Sequence, residues 1–387
     1  MPMKDSWPAF QPPRRLRGIQ KSAIRQLFDR APTGSINLGL GEPDLPTPEI
    51  VRRTAARIVL EEQNGYTTHA GLPALRELIA RDYADLSPDR VIVTAGSQEA
   101  LYLALMTLVE EGDKVLLPNP GFVAYPAIVR MAGGEASFYR LPASRDFAFD
   151  PDEFRRRLDR RTKVVVLTSP SNPTGRVLTR EDLIAIARAL DEIGAWVISD
   201  EIYRELYYLP ERPPSISEFY ERTIVIGGLS KALSMTGWRL GWLCGPADVV
   251  SSALVLHGYV TTCASTIAQK AALVAWTDEA SRARAQIRAT FRARRDHLLE
   301  MIVDRLERRA IVPEGAFYTM LDVRADGPSW TIAEHLLAHG VITVPGSAFG
   351  DEAEGFLRLS FCLNEEALAE GVSRMKSAFQ SLRRNPA

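Results

Sequence analysis

The sequence predicts an α/β fold: a large domain built on a mostly parallel β-sheet with helices on both faces, and a smaller α+β domain. Between residues 91 and 226, short and continuously apolar segments alternate with helical segments, a pattern typical of βαβ units. After about residue 280 the pattern changes to a long arginine-rich helix and then to shorter mixed segments. At 387 residues, the chain is long enough for two or three domains of ordinary size.

The individual elements are predicted from these segments in chain order. Strands are expected at 91–94, 114–117, 136–139, 163–168, 196–199 and 223–226. Helices are expected at 24–28, 48–60, 98–109, 125–131, 180–193 and 281–309. Thr179 predicts the start of the helix at residue 180, because its hydroxyl is a good N-cap and Glu181 and Asp182 suit the first turn.

Charge and composition argue against several classes of function. Lys and Arg number 47 and Asp and Glu 48, so the net charge of −1 gives no overall attraction to nucleic acid or to an anionic membrane. The arginines between 282 and 309 are interleaved with Glu300, Asp304 and Glu307, which favours a solvated helix face over a nucleic-acid site. The five histidines lack metal-ligand spacing, so we expect no metal site.

Two features of the sequence favour a cytoplasmic protein. The N-terminus lacks the apolar stretch of a signal peptide, and Cys244, Cys263 and Cys362 are too few and too far apart for a disulfide framework. The uncharged segment 249–269 has the length of a membrane span, but it contains many hydroxyl groups. We therefore expect a buried helix and its following loop there, and no association with a membrane.

Side chains able to bind or react follow the predicted strands where those strands end. The carboxyl ends of parallel strands meet at one edge of a sheet, where ligands of such proteins bind. The residues that follow the strands are Gly96, Ser97 and Gln98 after the first strand, Asn172 after the fourth, Asp200 and Tyr203 after the fifth, and Ser230, Lys231 and Arg239 after the sixth. We expect these residues to surround one site.

This set of groups fits a phosphate ester joined to an aromatic ring that carries an aldehyde. The helix N-terminus at Ser97 and the planar fork of Arg239 suit the phosphate. Lys231 suits the aldehyde, with which its amine can form a Schiff base. Asp200 suits a protonated ring nitrogen, and the polar side chains after the fourth and fifth strands suit a ring hydroxyl. The sequence therefore predicts a site for pyridoxal 5′-phosphate (PLP).

The residues around Lys231 also resemble a known family. The run 228–241 (GLSKALSMTGWRLG) is similar to the PLP attachment site of the class I/II aminotransferases, which are aspartate aminotransferase-like enzymes of fold type I. Seven further segments occur in the order of that family. They are 41–44 (GEPD), Tyr66 with 71–76 (GLPALR), 95–100 (AGSQEA), 172–175 (NPTG), 200–203 (DEIY), 315–318 (GAFY) and 358–360 (RLS). Together these segments extend the resemblance over most of the chain.

The resemblance implies a role at the cofactor for each matching residue. Lys231 would form the Schiff base and carry the proton between the substrate Cα and the cofactor C4′. Asp200 would hold the ring nitrogen, Tyr203 and Asn172 would contact the ring oxygen, and Phe122 would stack on the ring. The phosphate would be held by Gly96, Ser97, Gln98, Ser230 and Arg239, and by Tyr66 of the neighbouring subunit.

The resemblance also implies how the substrate binds and how the chain is assembled. Arg358 would bind the substrate α-carboxylate, with help from Asn172 and from the backbone near Gly41. The contact of Tyr66 with a neighbouring phosphate would make the protein a homodimer with shared active sites. The segment 253–264 has no Arg or Lys, although aspartate-specific relatives carry an arginine there, so a preference for dicarboxylates is not implied.

The implied domains are a large PLP-binding domain at 46–285 with a seven-stranded sheet, and a small domain formed by 1–45 and 286–387. The implied activity is ping-pong transfer of an amino group between an L-amino acid and a 2-oxo acid. Two alternatives stay open. One is a C–S β-lyase or decarboxylase that uses PLP on the same scaffold. The other is an aminotransferase-like sensor protein, which would need a DNA-binding domain, for which we expect no room before Gly41.

Overall fold

The structure of the protein is a computed structural model that describes residues 10–19, 21 and 23–384. Its strands are β1 Ile36–Asn37, β2 Val91–Thr94, β3 Lys114–Asn119, β4 Glu135–Arg140, β5 Thr162–Thr168, β6 Trp196–Asp200, β7 Thr223–Gly228, β8 Gly241–Cys244, β9 Tyr318–Asp322, β10 Val341–Ile342, β11 Val344–Pro345 and β12 Phe356–Ser360. Its helices are α1 Ala23–Asp29, α2 Glu49–Glu61, α3 Pro73–Ala80, α4 Ser97–Leu108, α5 Ala124–Met131, α6 Pro151–Arg157, α7 Arg180–Asp191, α8 Ala247–Val260, α9 Thr266–Ala272, α10 Asp278–Leu306, α11 Ser329–Ala338 and α12 Glu365–Arg384. Every predicted strand and helix is present, with ends that shift by at most three residues.

The central sheet contains seven strands in the order β2-β8-β7-β6-β5-β3-β4. Neighbouring strands are parallel except at β8, which runs antiparallel to both β2 and β7. The sequence analysis does not predict β8. Its four residues begin with a glycine and directly follow the polar loop after β7, so they carry almost no strand pattern of their own.

Strand β5 shows why helices cover both faces of this sheet. Val164 and Val166 pack in one apolar cluster with residues of α4, whereas Val165 and Leu167 pack in a second cluster with residues of α7. Successive side chains of a strand point to opposite faces, so a continuously apolar strand needs apolar cover on both sides. The predicted two-sided cover of the sheet is therefore confirmed.

Two further predictions concern helices α7 and α10. Thr179 caps α7 as predicted, because its hydroxyl accepts a hydrogen bond from the Asp182 N–H at 3.1 Å and the Asp182 carboxylate accepts one from the Thr179 N–H at 2.9 Å. The prediction of a solvated arginine face on α10 is wrong at Arg294. This residue is buried and donates to both carboxylate oxygens of Asp44, at 2.6 and 3.1 Å. A buried guanidinium needs such a paired partner, which residue periodicity cannot reveal.

The C-terminal region forms smaller sheets beside the central one. Strands β9, β11 and β12 make an antiparallel sheet, and β1 pairs in parallel with β10. Their apolar cluster includes Leu298 of α10, Leu357 of β12 and Met375 of α12. Tyr203, from the loop after β6, belongs to the same cluster. The smaller sheets therefore pack next to the carboxyl end of the central sheet, where ligands bind in such folds.

Helix α8 differs from the expectation of a buried helix. Val249, Val250 and Ala253 are buried, but Val255 is 63% exposed and Tyr259 90% exposed. The helix therefore buries only the face that packs on α4, in the apolar cluster on that side of the sheet. Within residues 10–19, 21 and 23–384, no helix combines the length and the hydropathy of a membrane span.

Candidate active site

A cavity of about 310 Å³ lies at the carboxyl ends of the central strands, against the smaller sheets. Its lining includes predicted site residues that follow the strands of the central sheet and others that belong to the smaller sheets or their loops. They are Gly41, Ser97, Gln98, Phe122, Asn172, Asp200, Tyr203, Ser230, Lys231, Arg239 and Arg358. Two predicted residues are not part of the lining. Gly96 directly precedes the lining residue Ser97 in the chain, and Tyr66 is 89% exposed on the surface of the protomer.

Asp200 is the last residue of β6 and is buried at the floor of the cavity. Its carboxylate accepts hydrogen bonds from the Tyr125 hydroxyl at 2.9 Å and from the Ile202 N–H at 3.3 Å. Burial raises the pKa of Asp200 to about 6, although the bond from Tyr125 acts in the opposite direction. A cation in the cavity would favour the ionised carboxylate, and a protonated ring nitrogen is such a cation.

Lys231 follows β7 and points its amine into the same cavity. Its Nζ donates to the carbonyl oxygen of Gly41 at 2.8 Å and lies 6.0 and 5.7 Å from the ring centres of Tyr203 and Phe317. Across residues 10–19, 21 and 23–384, no carboxylate forms an ion pair with it. Burial lowers the pKa of Lys231, which makes the neutral, nucleophilic amine more available.

The N-terminus of α4 and Arg239 form a cradle for an anion. Gly96 precedes the helix with φ of 91°, and a Cβ at this position would overlap the Arg239 guanidinium. Arg239 donates to the carbonyl oxygen of Thr236 at 2.8 Å and has no carboxylate partner in the described ranges. Ser97 and Ser230 line the cavity beside it. Free helix N–H groups, hydroxyls and a guanidinium together suit a phosphate.

A partly buried polar network lies behind this cradle and supports it. The Glu99 carboxylate accepts hydrogen bonds from the Ala95 N–H and the Thr261 hydroxyl, both at 2.5 Å, and meets His257 Nδ1 at 3.0 Å. Burial alone would raise the pKa of Glu99, but the bonds from His257, Thr261 and Ala95 lower it. The sequence analysis does not identify this network. Glu99 belongs to the recognised segment 95–100, but its side-chain partners are His257 on α8 and Thr261 just after it. No local pattern in the sequence indicates that these distant residues meet.

Arg358, in the middle of β12, is a buried cation without an anion. Its Nη1 donates to the Asn172 side-chain oxygen at 2.8 Å and its Nη2 to the Gly39 carbonyl oxygen at 2.6 Å. Its guanidinium lies over the rings of Tyr318 and Phe349, at 4.3 and 4.8 Å. Nε is buried and has no hydrogen-bond partner, and no carboxylate in the described part of the chain pairs with this residue.

Several cavity residues are not among the predicted ones. The Tyr318 hydroxyl lies 2.9 Å from the Tyr203 hydroxyl, and the Tyr125 ring meets Phe122 edge-on at 5.6 Å between ring centres. The remaining unpredicted lining residues are Ile24, Leu40, Thr168, Ile202 and Thr236. Tyr318 ends the recognised GAFY segment, so its position was visible in the sequence while its contact with Tyr203 was not.

The groups in the cavity fit PLP. The amine of Lys231 suits an aldehyde, the buried carboxylate of Asp200 suits a protonated ring nitrogen, and the cradle of Gly96 and Arg239 suits a phosphate. The unpaired guanidinium of Arg358 leaves a place for a carboxylate beside them. Fold and site together define a PLP-dependent enzyme of fold type I.

Comparison with known proteins gives the family. The sequence profile of the family "Aminotransferase class I and II" matches residues 33–375, so the chain belongs to the class I and II aminotransferases. The chain is a PLP-dependent aminotransferase, and its substrates are amino acids and 2-oxo acids. The class predicted from the sequence is thereby confirmed.

Individual relatives match over nearly the whole chain. A probable aspartate aminotransferase of Methanocaldococcus jannaschii is 34% identical, over 95% of this chain and 99% of its own. The aspartate/prephenate aminotransferase of Thermus thermophilus is 39% identical, over 88% and 89%. Among solved structures, a Thermus thermophilus aspartate aminotransferase with maleate superposes with a TM-score of 0.90 at 36% identity, covering 95% of this chain and all of that one.

Proposed function

We propose that the protein transfers amino groups in two half-reactions, and that Arg358 binds the substrate α-carboxylate in each. The observation that carries this proposal is the state of Arg358, which is 2% exposed, lacks a partner at Nε and pairs with no carboxylate among the described residues. A buried charge without a partner is costly, so an anionic ligand is strongly favoured. An amino acid and a 2-oxo acid both supply that carboxylate.

The residues around Lys231 then have distinct tasks. PLP, when bound, supplies an aldehyde for the amino group and a protonated ring that withdraws electrons from the substrate Cα. Lys231 Nζ would take the proton from that carbon and deliver it to the cofactor carbon C4′, a task that suits an amine with a lowered pKa. Asp200 keeps the ring nitrogen protonated, and Tyr203 donates to the ring oxygen. Asn172 holds Arg358 in place and reaches the same oxygen.

The remaining predicted cofactor residues hold the phosphate and cover the ring. The phosphate is bound by Gly96, Ser97, Gln98, Ser230 and Arg239. The cradle at the N-terminus of α4 supports this assignment. Phe122 covers one face of the ring, a role supported by its place in the cavity lining and by the edge-on contact with Tyr125. The backbone at Gly41 forms the wall opposite Lys231, and the Gly41 carbonyl oxygen accepts a hydrogen bond from Lys231 Nζ.

The cavity favours substrates with an uncharged side chain. Its lining contains three cations, Lys231, Arg239 and Arg358, and each already has a role in the proposal. Two partly exposed lining residues are apolar, namely Ile24 and Leu40. Since the described part of the lining offers no further cation for a second carboxylate, we infer that aliphatic and aromatic amino acids are the preferred donors.

Domain limits and location are part of the same proposal. Residues 46–285 form the large PLP-binding domain, which contains the seven-stranded sheet, and 1–45 with 286–387 form the small one. The smaller sheets, which draw on residues 36–37 and 318–360, support this division. A cytoplasmic location is supported by the three cysteines, none of which forms a disulfide.

The PLP-loaded protein, mixed with single amino acids in the absence of a 2-oxo acid, tests the proposed activity. With leucine or phenylalanine we expect the absorption of the cofactor's aldehyde form to give way to that of its amine form. We expect aspartate to require a higher concentration for the same conversion. Unchanged absorption with release of pyruvate and ammonia from a cysteine conjugate would indicate the C–S β-lyase instead, and release of carbon dioxide a decarboxylase.

The variant Arg358→Gln, mixed with the same amino acids, tests whether Arg358 binds the α-carboxylate. The loss of two charge-assisted hydrogen bonds should raise the amino acid concentration for half-conversion about 100-fold. Arg309→Gln is the control, because Arg309 lies near β9 but is exposed, and among the described residues its one ion pair is with Asp146. Equal behaviour of the two variants would show that Arg358 does not bind the carboxylate.

A homodimer with shared active sites is supported by one apolar surface. Leu60, Tyr66 and Tyr259 are 83, 89 and 90% exposed. The loop that carries Tyr66 lies against α9, where the Thr266 hydroxyl donates to the Gly65 carbonyl oxygen at 2.7 Å. It also lies against α8, where a Cβ at Gly258 would be 3.3 Å from His69 Nδ1. Large exposed apolar side chains on one face indicate a contact surface. In a dimer formed by this face, Tyr66 would reach the phosphate of the neighbouring subunit.

Sedimentation velocity tests the dimer directly. The chain has a mass of 42.9 kDa, and we expect a species of twice that mass. Tyr259→Asp should shift it toward the monomer, because the charge would have to lose water on association. Val312→Asp changes an exposed valine outside this surface and should leave the dimer intact. A wild-type protein that sediments as a monomer would refute the shared site.

A further inference from the structure

Tyr318 occupies the point where the cofactor side and the substrate side of the cavity meet. It begins β9, pairs with Ser360 of β12 and is buried while lining the cavity. Its ring supports the guanidinium of Arg358 at 4.3 Å, and its hydroxyl lies 2.9 Å from that of Tyr203. A Cβ at Gly41 would overlap the same hydroxyl, so this glycine leaves the space that Tyr318 fills.

The direction of the bond between the two phenols determines what Tyr203 can do. Each hydroxyl has one proton, and only one of the two can donate in a bond between them. If Tyr318 donates, the proton of Tyr203 remains free to point toward a ligand in the cavity. The guanidinium of Arg358 lies over the ring of Tyr318 at 4.3 Å, and a cation beside a phenol makes its hydroxyl the better donor, so the geometry favours donation from Tyr318.

We propose that Tyr318 is a positioning residue with two separable functions: its hydroxyl donates to Tyr203 and so directs the proton of Tyr203 toward the cofactor, and its ring holds the guanidinium of Arg358. This inference rests on the proposed function, in which Tyr203 faces the cofactor and Arg358 the substrate carboxylate. It adds a cavity residue to which that scheme assigns no ligand, and which acts through Tyr203 and Arg358.

Tyr318→Phe tests the hydroxyl, since the ring remains. We measure the pH at which the visible absorption of the PLP-loaded protein changes, a transition that reports protonation of the cofactor joined to Lys231. A less well directed Tyr203 stabilises the deprotonated form less, so this pH should rise by about half a unit to one unit. The KM for the amino acid should change less than about threefold, because the cation–π contact is preserved.

Two further variants separate positioning from simple support of the fold. Tyr318→Leu removes the ring and should in addition raise the KM about tenfold, because Arg358 loses its aromatic surface. Tyr203→Phe combined with Tyr318→Phe should shift the absorption transition no further than Tyr203→Phe alone, because Tyr318 acts through Tyr203. Additive shifts in the double variant would overturn the proposal.

Tyr208→Phe is the matched control. Tyr208 belongs to the same apolar cluster, and its hydroxyl bonds to the carbonyl oxygen of Ala316, two positions before Tyr318, but it does not line the cavity. It should leave both the transition pH and the KM unchanged. If Tyr318→Phe behaves like this control, the proposal fails. The absorption readout needs no amino acid, so this failure is distinct from a failure of the proposed amino transfer.

Discussion

Lys231→Ala is expected to keep the fold and to lose amino transfer almost completely. Among the described residues, Lys231 is the only amine that lines the cavity, and it is the group that we propose takes the proton from the substrate Cα. A positioned general base contributes up to about 10⁴-fold, and the loss of the covalent link to the cofactor adds to that. Steady-state assays with a saturating amino acid and a 2-oxo acid should show a fall in kcat of about 10⁴-fold or more.

The fold should tolerate this change, because the amine of Lys231 makes one hydrogen bond, to the Gly41 carbonyl oxygen, and no ion pair within the described ranges. Lys231→Arg is the companion variant: it keeps a cation at this place but cannot join an aldehyde. Both variants should be equally inactive while their circular dichroism matches that of the wild type. A Lys231→Ala protein with near-normal turnover would refute the assignment of Lys231.

Asp200→Asn is expected to have two opposite effects. An amide cannot keep the ring nitrogen protonated, so kcat should fall by about 10³-fold, in the range found when a preorganised electrostatic partner is removed. The cofactor-free protein, by contrast, should become more stable near neutral pH. The reason is that burial raises the pKa of Asp200 to about 6 from its ordinary value of 3.8.

The pH dependence of that stability follows from the direction of the shift. A carboxyl with a raised pKa in the folded state favours folding most at low pH, and that contribution is lost as the pH rises from about 4 through 6. Asp200→Asn does not titrate, so its advantage over the wild type should grow across this window, to at most about 3 kcal/mol. Urea unfolding of both cofactor-free proteins between pH 4 and 7 measures it, and a difference that does not vary with pH would contradict the prediction.

Much of the site was predictable because it follows parallel strands. Asp200 ends β6, and Asn172 and Lys231 follow β5 and β7, so topology alone brings them to one edge of the sheet. Continuously apolar strands are easy to recognise in a sequence. The same holds for the recognised segments, whose order along the chain identified the family.

The rest depends on contacts between distant residues that no local pattern indicates. Tyr125 meets Asp200 across 75 positions and Tyr318 meets Tyr203 across 115. The burial of Arg294 depends on Asp44, 250 positions away. Strand β8 was missed for a different reason, because it starts with glycine, which is unfavourable in a strand, and directly follows the polar loop after β7.

The placement of Arg358 has a consequence for how the enzyme matures during its synthesis. The residues from Gly96 to Arg239 that we propose to hold the cofactor occupy one continuous stretch of chain, whereas Arg358 donates hydrogen bonds to Asn172 and Gly39 across 186 and 319 positions. Chains emerge from the ribosome with the N-terminus first. The proposed substrate pocket is therefore completed after the proposed cofactor residues have been made, when the last strand of the small sheet has been translated.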